Sequence, residues 1–197
     1  MINLERIKEL LKSPLIAINK AKKERDVYKT FWILIITWIL MGLGFSIIIL
    51  KTFNPIISIG AGIIVFLFGF LFSLFCSYIT AIIMNVLGGK GKYYQSLTAT
   101  TYSSFPVSVG FFITAILAFI HPILLIFGLI LLIITAALSF SIYFKAIKEL
   151  FSVDMITTFV GFIILIYVFV LSVYIISIFG VAQVLPVLSN LPTARPI

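Results

Sequence analysis

Charge is missing from long stretches of this chain, and no other feature restricts its folding as much. No Asp, Glu, Lys or Arg occurs over residues 30–50, 52–89, 93–144 or 155–194. A run of about 20 apolar residues crosses the ~30 Å hydrocarbon core of a bilayer as one helix. Soluble domains are roughly 45–50% apolar and about 25% charged. Here 62% of 197 residues are hydrophobic, 10% are charged and the mean hydropathy is +1.29. Twenty Phe residues exceed what a water-facing globule of this size can cover. The expected architecture is all-α: a polytopic membrane bundle of five transmembrane helices preceded by a short interfacial amphipathic segment.

The first run supplies one span. The second, 52–89, is longer than one perpendicular crossing needs and too short for two with a turn. One helix is expected over about 55–85, with Asn54 or Thr52 at its cap and Pro55 in its first turn. Tilt, or an interfacial turn near Gly60-Ala61-Gly62, absorbs the excess. Proline disfavours helix at the residue before it, so His121-Pro122 divides the third run into spans of about 96–120 and 123–148. The fourth run gives a helix from Met155 to about Val184 and then a Pro-punctuated tail. The expected organisation is a cytoplasmic basic segment over 1–29 and a transmembrane domain over 30–197.

The net charge of +8 is distributed unevenly. Arg6, Lys8, Lys12, Lys20, Lys22, Lys23, Arg25 and Lys29 precede the first span. Lys90, Lys92, Lys145 and Lys148 fall in the loops on the same side, and Lys51 and Arg195 on the other. Twelve against two is a positive-inside bias that places the N-terminus in the cytoplasm and the C-terminus outside. Without a nucleic-acid motif, the charge points to orientation and to anionic lipid, not to RNA or DNA. Leu4, Ile7 and Leu11 recur at helical spacing, and Ser13-Pro14 reads as a fresh helix start. The basic cluster Lys20, Lys22, Lys23 and Arg25 follows, so this segment is expected to lie in the headgroup plane. It is long, charged and mixed in sign, unlike a cleavable signal, and the first span is expected to remain as an anchor.

Helix contacts in lipid favour small residues, because hydrocarbon gives apolar side chains no reason to prefer one another. Gly69, Ser73, Ser77 and Ala81 recur every four residues on the second span. Pro106, Gly110, Thr114 and Ala118 do so on the third. The two stripes would either face one another or form a seam between two copies.

Catalytic constellations are lacking. Glu5, Glu9, Glu24, Asp26, Glu149 and Asp154 all fall outside the expected spans, away from the depth at which coupled transporters keep an ionisable group. His121 is the single histidine and reads as a turn residue; Cys76 is the single cysteine and reads as packing. A serine nucleophile would have no second histidine to call on, and no cluster has metal-ligand spacing. The chain is expected to be no enzyme and to need no cofactor.

The turn Gly88-Gly89-Lys90-Gly91-Lys92 lacks the Gly-Lys-Ser/Thr ending of a P-loop. Its backbone N–H groups and two lysines would hold a lipid phosphate or an acidic partner, or else the lysines are ordinary loop charges. This turn, continuing as Tyr93-Tyr94-Gln95-Ser96-Leu97 and then Thr101-Tyr102-Ser103-Ser104-Phe105-Pro106, resembles the prokaryotic branch of the Yip1 domain family. In that family a glycine-basic turn leads into a helix with a Tyr-Ser-x-x-Pro-type motif. Leu10-Leu11-Lys12-Ser13-Pro14 is similar to the segment that opens many prokaryotic members. The Asp-Leu-Tyr-Gly-Pro motif of eukaryotic members has no counterpart here. The resemblance implies five spans and a cytoplasmic N-terminus. In eukaryotic members it implies binding of Rab-type GTPases and a part in vesicle traffic or membrane shape.

Two functions remain open on the sequence. One is a membrane scaffold or adaptor that binds a cytoplasmic protein or anionic lipid and can form homo-oligomers. In it Tyr102 either hydrogen-bonds into the break made by Pro106 or anchors at the interface. The other is a passive channel or carrier for a small neutral solute, or a lipid-handling protein, with Ser73, Ser77, Thr80 and Thr114 lining a polar path.

Overall fold

The computed structural model describes residues 27–171. The N-terminal amphipathic segment with Lys20, Lys22, Lys23 and Arg25, the rest of the last apolar run and the Pro-punctuated tail lie outside the described residues. Four helices are long and apolar enough to cross a membrane: α1 (Val27–Ile49), α2 (Pro55–Val86), α3 (Tyr93–Ile120) and α4 (Leu124–Phe151). A further apolar helix, α5, is described over Met155–Leu171. The described residues contain no strand, as hydrocarbon demands of an unclosed chain: each backbone N–H and C=O must find its partner within its own segment.

Local chemistry sets the helix ends. Asn54 caps α2, its side-chain oxygen accepting the Ile57 N–H at 2.9 Å, and Pro55 sits where a missing N–H costs nothing. α2 then continues unbroken for 32 residues. Gly60-Ala61-Gly62 is ordinary helix, and α2 has length to spare for tilt or for an interfacial first turn. α3 begins at Tyr93, a turn earlier than the sequence suggests, because the Lys92 N–H donates to Gln95 Oε1 at 2.7 Å and closes its first turn. His121-Pro122 separates α3 from α4. Asp154 caps α5 by accepting the Thr157 N–H at 3.0 Å.

α3 is the centre of the bundle, packing against α1, α2 and most extensively α4. Ser96, Leu97, Thr98 and Ala99 are all buried, so four consecutive positions, pointing in four directions, each meet protein. α5 lies against α2 and α4, through Gly161 on Met84 and Phe162 edge-on to Phe140 at 4.8 Å. The outer surfaces carry the large apolar side chains: Ile64, Phe68, Leu71, Phe127 and Ile133 are all more than 60% exposed, on faces that meet lipid.

α1 and α2 meet backbone to backbone. A Cβ on Gly42 would stand 2.6 Å from the Gly62 carbonyl oxygen, and one on Gly62 would stand 2.7 Å from that of Gly42. Gly60, two residues away, faces open space. Gly62→Ala should lower the thermal unfolding midpoint in detergent, at a cost of about 1–3 kcal/mol for forcing the helices apart. Gly60→Ala should leave the midpoint unchanged or raise it slightly.

Candidate functional site

The turn Gly88–Lys92 is fastened to the end of α4. Gly88 adopts φ +89°, a left-handed conformation that suits glycine at a helix end. This turns the chain back so that the Gly89 N–H reaches the Met84 carbonyl at 2.8 Å. The Lys90 N–H then donates to the carbonyl of Phe151 at 3.0 Å, across to the last residue of α4. A Cβ on Gly91 would fall 2.3 Å from the Phe151 ring, which is completely buried. Glycine at 91 thus lets the turn lie flat on an aromatic side chain distant in sequence.

Most of the turn's own amides are engaged within the protein. The Gly88 N–H is taken by Asn85 O, Gly89 by Met84 O, Lys90 by Phe151 O and Lys92 by Gln95 Oε1. Four of its five amides are already engaged. What remains available is the pair of exposed side chains, Lys90 and Lys92. The α4–α5 connection lies beside them. Ser152 ends α4 with φ 55°, and the Val153 N–H returns to Lys148 O at 3.2 Å. Hydrogen bonds from Thr157 hold the exposed Asp154 carboxyl below the usual carboxylate range, with a smaller contribution from Lys148.

Tyr102 and Pro106 are not at this surface. Tyr102 is fully buried in the core, so it is no interfacial anchor. The group that reaches the proline break comes from α4: Ser139 Oγ accepts the Val107 N–H at 3.1 Å. Nothing in the sequence of α4 marks Ser139 above its neighbour Ser141.

The two small-residue stripes have different partners. On α2, Gly69 lies under the Trp38 ring of α1, and Ser73 accepts the Trp38 indole N–H at 2.8 Å. On α3, Gly110 lies under Thr135 of α4, and Thr114 donates to the Gly128 carbonyl at 2.7 Å. Ser77 and Ala81 are buried; Ala118 is half-buried, its carbonyl accepting the Lys51 ammonium.

The hydroxyls considered as a polar path are engaged within the bundle. Ser77 donates to Ser73 O at 2.7 Å, Thr80 pairs with the Tyr143 hydroxyl at 2.9 Å and Thr114 bonds two carbonyls. A groove of ≈ 300 Å³ beside the α1–α2 crossing is lined by apolar groups and Ser46, which donates to Gly42 O at 3.0 Å.

The model of the Yip1 domain matches residues 8–179, most of the chain. The chain belongs to the Yip1 domain family. No curated protein and no solved structure matches it. The match spans all of the described helices, so the turn on Phe151 and the proline-bearing α3 are parts of its Yip1 domain. It is an integral membrane protein whose apolar helices contact the lipid bilayer.

Two measurements test the seating of the turn. Gly91→Ala should destabilise the purified protein by about 1–3 kcal/mol through its clash with Phe151. Ser152→Gly should stabilise it by about 1 kcal/mol by relieving the left-handed backbone. The Asp154 cap adds a pH dependence. Its carboxyl is ionised at neutral pH, and the stability it gives is lost as pH falls through its lowered pKa. Asp154→Asn should flatten that part of the acid limb in a thermal melt.

Proposed function

We propose that this Yip1-domain protein is a non-enzymatic scaffold or adaptor that organises the membrane or recruits a cytoplasmic partner. It crosses a cell membrane five times, with residues 1–29 in the cytoplasm and the C-terminus outside. The observation that carries the proposal is the attachment of the Gly88–Lys92 turn to Phe151. A backbone hydrogen bond and a buried ring hold two exposed lysines on a fixed platform, as a docking surface requires and a gate does not. The engagement of Ser73, Ser77, Thr80 and Thr114 within the bundle supports the same reading, since each joins helices or its own backbone. The wider family's place in membrane traffic and morphology agrees with a protein that assembles others.

The test is quantitative mass spectrometry of what co-purifies from native membranes, comparing wild type with Lys90→Glu/Lys92→Glu. A stoichiometric cytoplasmic protein should be present with the wild type and lost from the variant, while the unfolding midpoint stays the same. Association that survives the charge reversal would overturn the proposal. So would solute or lipid movement in proteoliposomes well above that of empty vesicles.

A further inference from the structure

We propose that Lys90, Lys92, Lys145 and Lys148 form a binding face for the phosphate groups of anionic phospholipids. The inference deepens the reading of this end of the bundle as the membrane-organising one, and it starts from the direction of the lysines. On α4, the exposed residues Phe127, Ile130, Ile134 and Leu138 follow one another at spacings of three and four, forming a single outward stripe. Continued by seven residues and then three, that stripe becomes Lys145 and Lys148, both exposed. The buried residues Ile142, Ala146, Ile147 and Leu150 occupy the other side of the helix. The two lysines therefore leave the protein sideways, along the face that meets hydrocarbon, and not upward into water.

α2 carries a similar stripe, and the turn beyond it folds back onto Phe151 at the same end of the bundle. Phe68, Leu71, Phe75, Tyr78, Ile82 and Val86 form an exposed stripe at the same spacings, and the chain then turns into Lys90 and Lys92. Tyr78 and Tyr93 meet edge to face at 6.2 Å beside that stripe, an amphipathic pair of the kind enriched at membrane–water interfaces. An apolar stripe fixes the depth of the helix. Lysines at its end then bring their ammonium groups to the headgroup layer, with their stems along the apolar surface.

The mode of recognition follows from what is already engaged. With four of the turn's amides bonded within the protein, no backbone nest can shape itself to one phosphate. The lysines act as strongly hydrated point charges, which discriminate by net charge and not by headgroup shape. Asp154 lies near Lys148 and offsets part of its charge, and Glu149 shares this helix end with both α4 lysines, so Lys90 and Lys92 carry most of the attraction.

The test uses the purified full chain on affinity resin. It is equilibrated with equal amounts of phosphatidylglycerol and phosphatidylcholine of identical acyl chains, and retained lipid is measured by mass spectrometry. A lysine near an anionic surface shifts partition by about fivefold. Phosphatidylglycerol should therefore be retained at least about fivefold over phosphatidylcholine at low salt. In ~1 M salt, where the Debye length falls to about 3 Å, the preference should drop below about twofold. Lys90→Gln/Lys92→Gln/Lys145→Gln/Lys148→Gln should lose it in low salt, and Lys51→Gln at the opposite end should keep it. Equal retention of the two lipids, or a preference that persists in high salt, would overturn the proposal. The salt series uses the wild-type chain and decides the matter even if the quadruple variant does not fold. A cytoplasmic protein lost on charge reversal, with no lipid preference in the purified chain, would assign the lysines to that protein and refute the lipid face. A lipid preference with no such protein would remove the adaptor reading alone.

Discussion

Hydrocarbon supplies no hydrogen bonds, so a helix rich in hydroxyls and broken by proline crosses a membrane only when other helices enclose it. α3 is such a helix, and the bundle is arranged around it. Seven of its hydroxyl-bearing side chains are fully or nearly fully buried: Ser96, Thr98, Thr101, Tyr102, Ser103, Ser108 and Thr114. α1 meets it with Thr30 opposite Thr98 at 3.5 Å, and α4 with Ser139 at the Val107 N–H. Satisfaction is incomplete, since the buried Ser96 and Thr101 hydroxyls have no hydrogen-bond partner. Such groups cost free energy wherever they lie.

The remaining contacts follow from the same solvent. Lipid tails are as apolar as leucine, so helices gain little by hiding large side chains from them. The large residues consequently face outward, and the contacts are made by residues that let backbones approach. Gly42 and Gly62 set the α1–α2 crossing, Gly69 admits the Trp38 ring and Gly110 admits Thr135. Across these close contacts run short side-chain bonds such as Trp38 to Ser73 and Thr80 to Tyr143. Each joins two helices, and they act together with a small apolar core built around Tyr102, Phe105 and Phe151.

The helices were legible because their ends are written locally. Charge gaps, Asn54-Pro55 and His121-Pro122 placed the boundaries of α1, α2 and α4 within about a turn of those observed. The small-residue stripes were legible as faces, since a four-residue period defines one side of a helix. Their partners were not, because a period states which residues share a side and not which helix lies opposite. Gly69 against Trp38 pairs residues on α2 and α1, while Gly110 pairs with α4. The seating of the glycine-basic turn was not legible for a related reason. Its amides are engaged partly by Phe151, about sixty residues away, which no local motif reports. The apolar pair Leu150-Phe151 directly after the charged Lys148-Glu149 was the available signal, since an aromatic at a charged helix end generally has something to cover.

A bundle that directs its small and polar residues at itself leaves its ends and its lipid-facing stripes for function. The ends differ. At one, Lys51 gives its ammonium to the Ala118 carbonyl and lies 5.8 Å from the Phe119 ring centre, and His121 Nδ1 accepts the Ile123 N–H at 3.2 Å. The charged and titratable groups there close neighbouring helix termini, Lys51 the end of α3 and His121 the approach to α4. At the other end the order is reversed. Backbone closes backbone, through Gly89 to Met84 and Lys90 to Phe151, and the lysine side chains are left to project. Closing a turn with main-chain bonds makes its side chains dispensable for the fold, so their identity answers to whatever they meet outside it. On the proposed reading, Lys145 and Lys148 at the foot of the α4 stripe, with Lys90 and Lys92 in the turn beside them, meet the layer where the bilayer carries its phosphate.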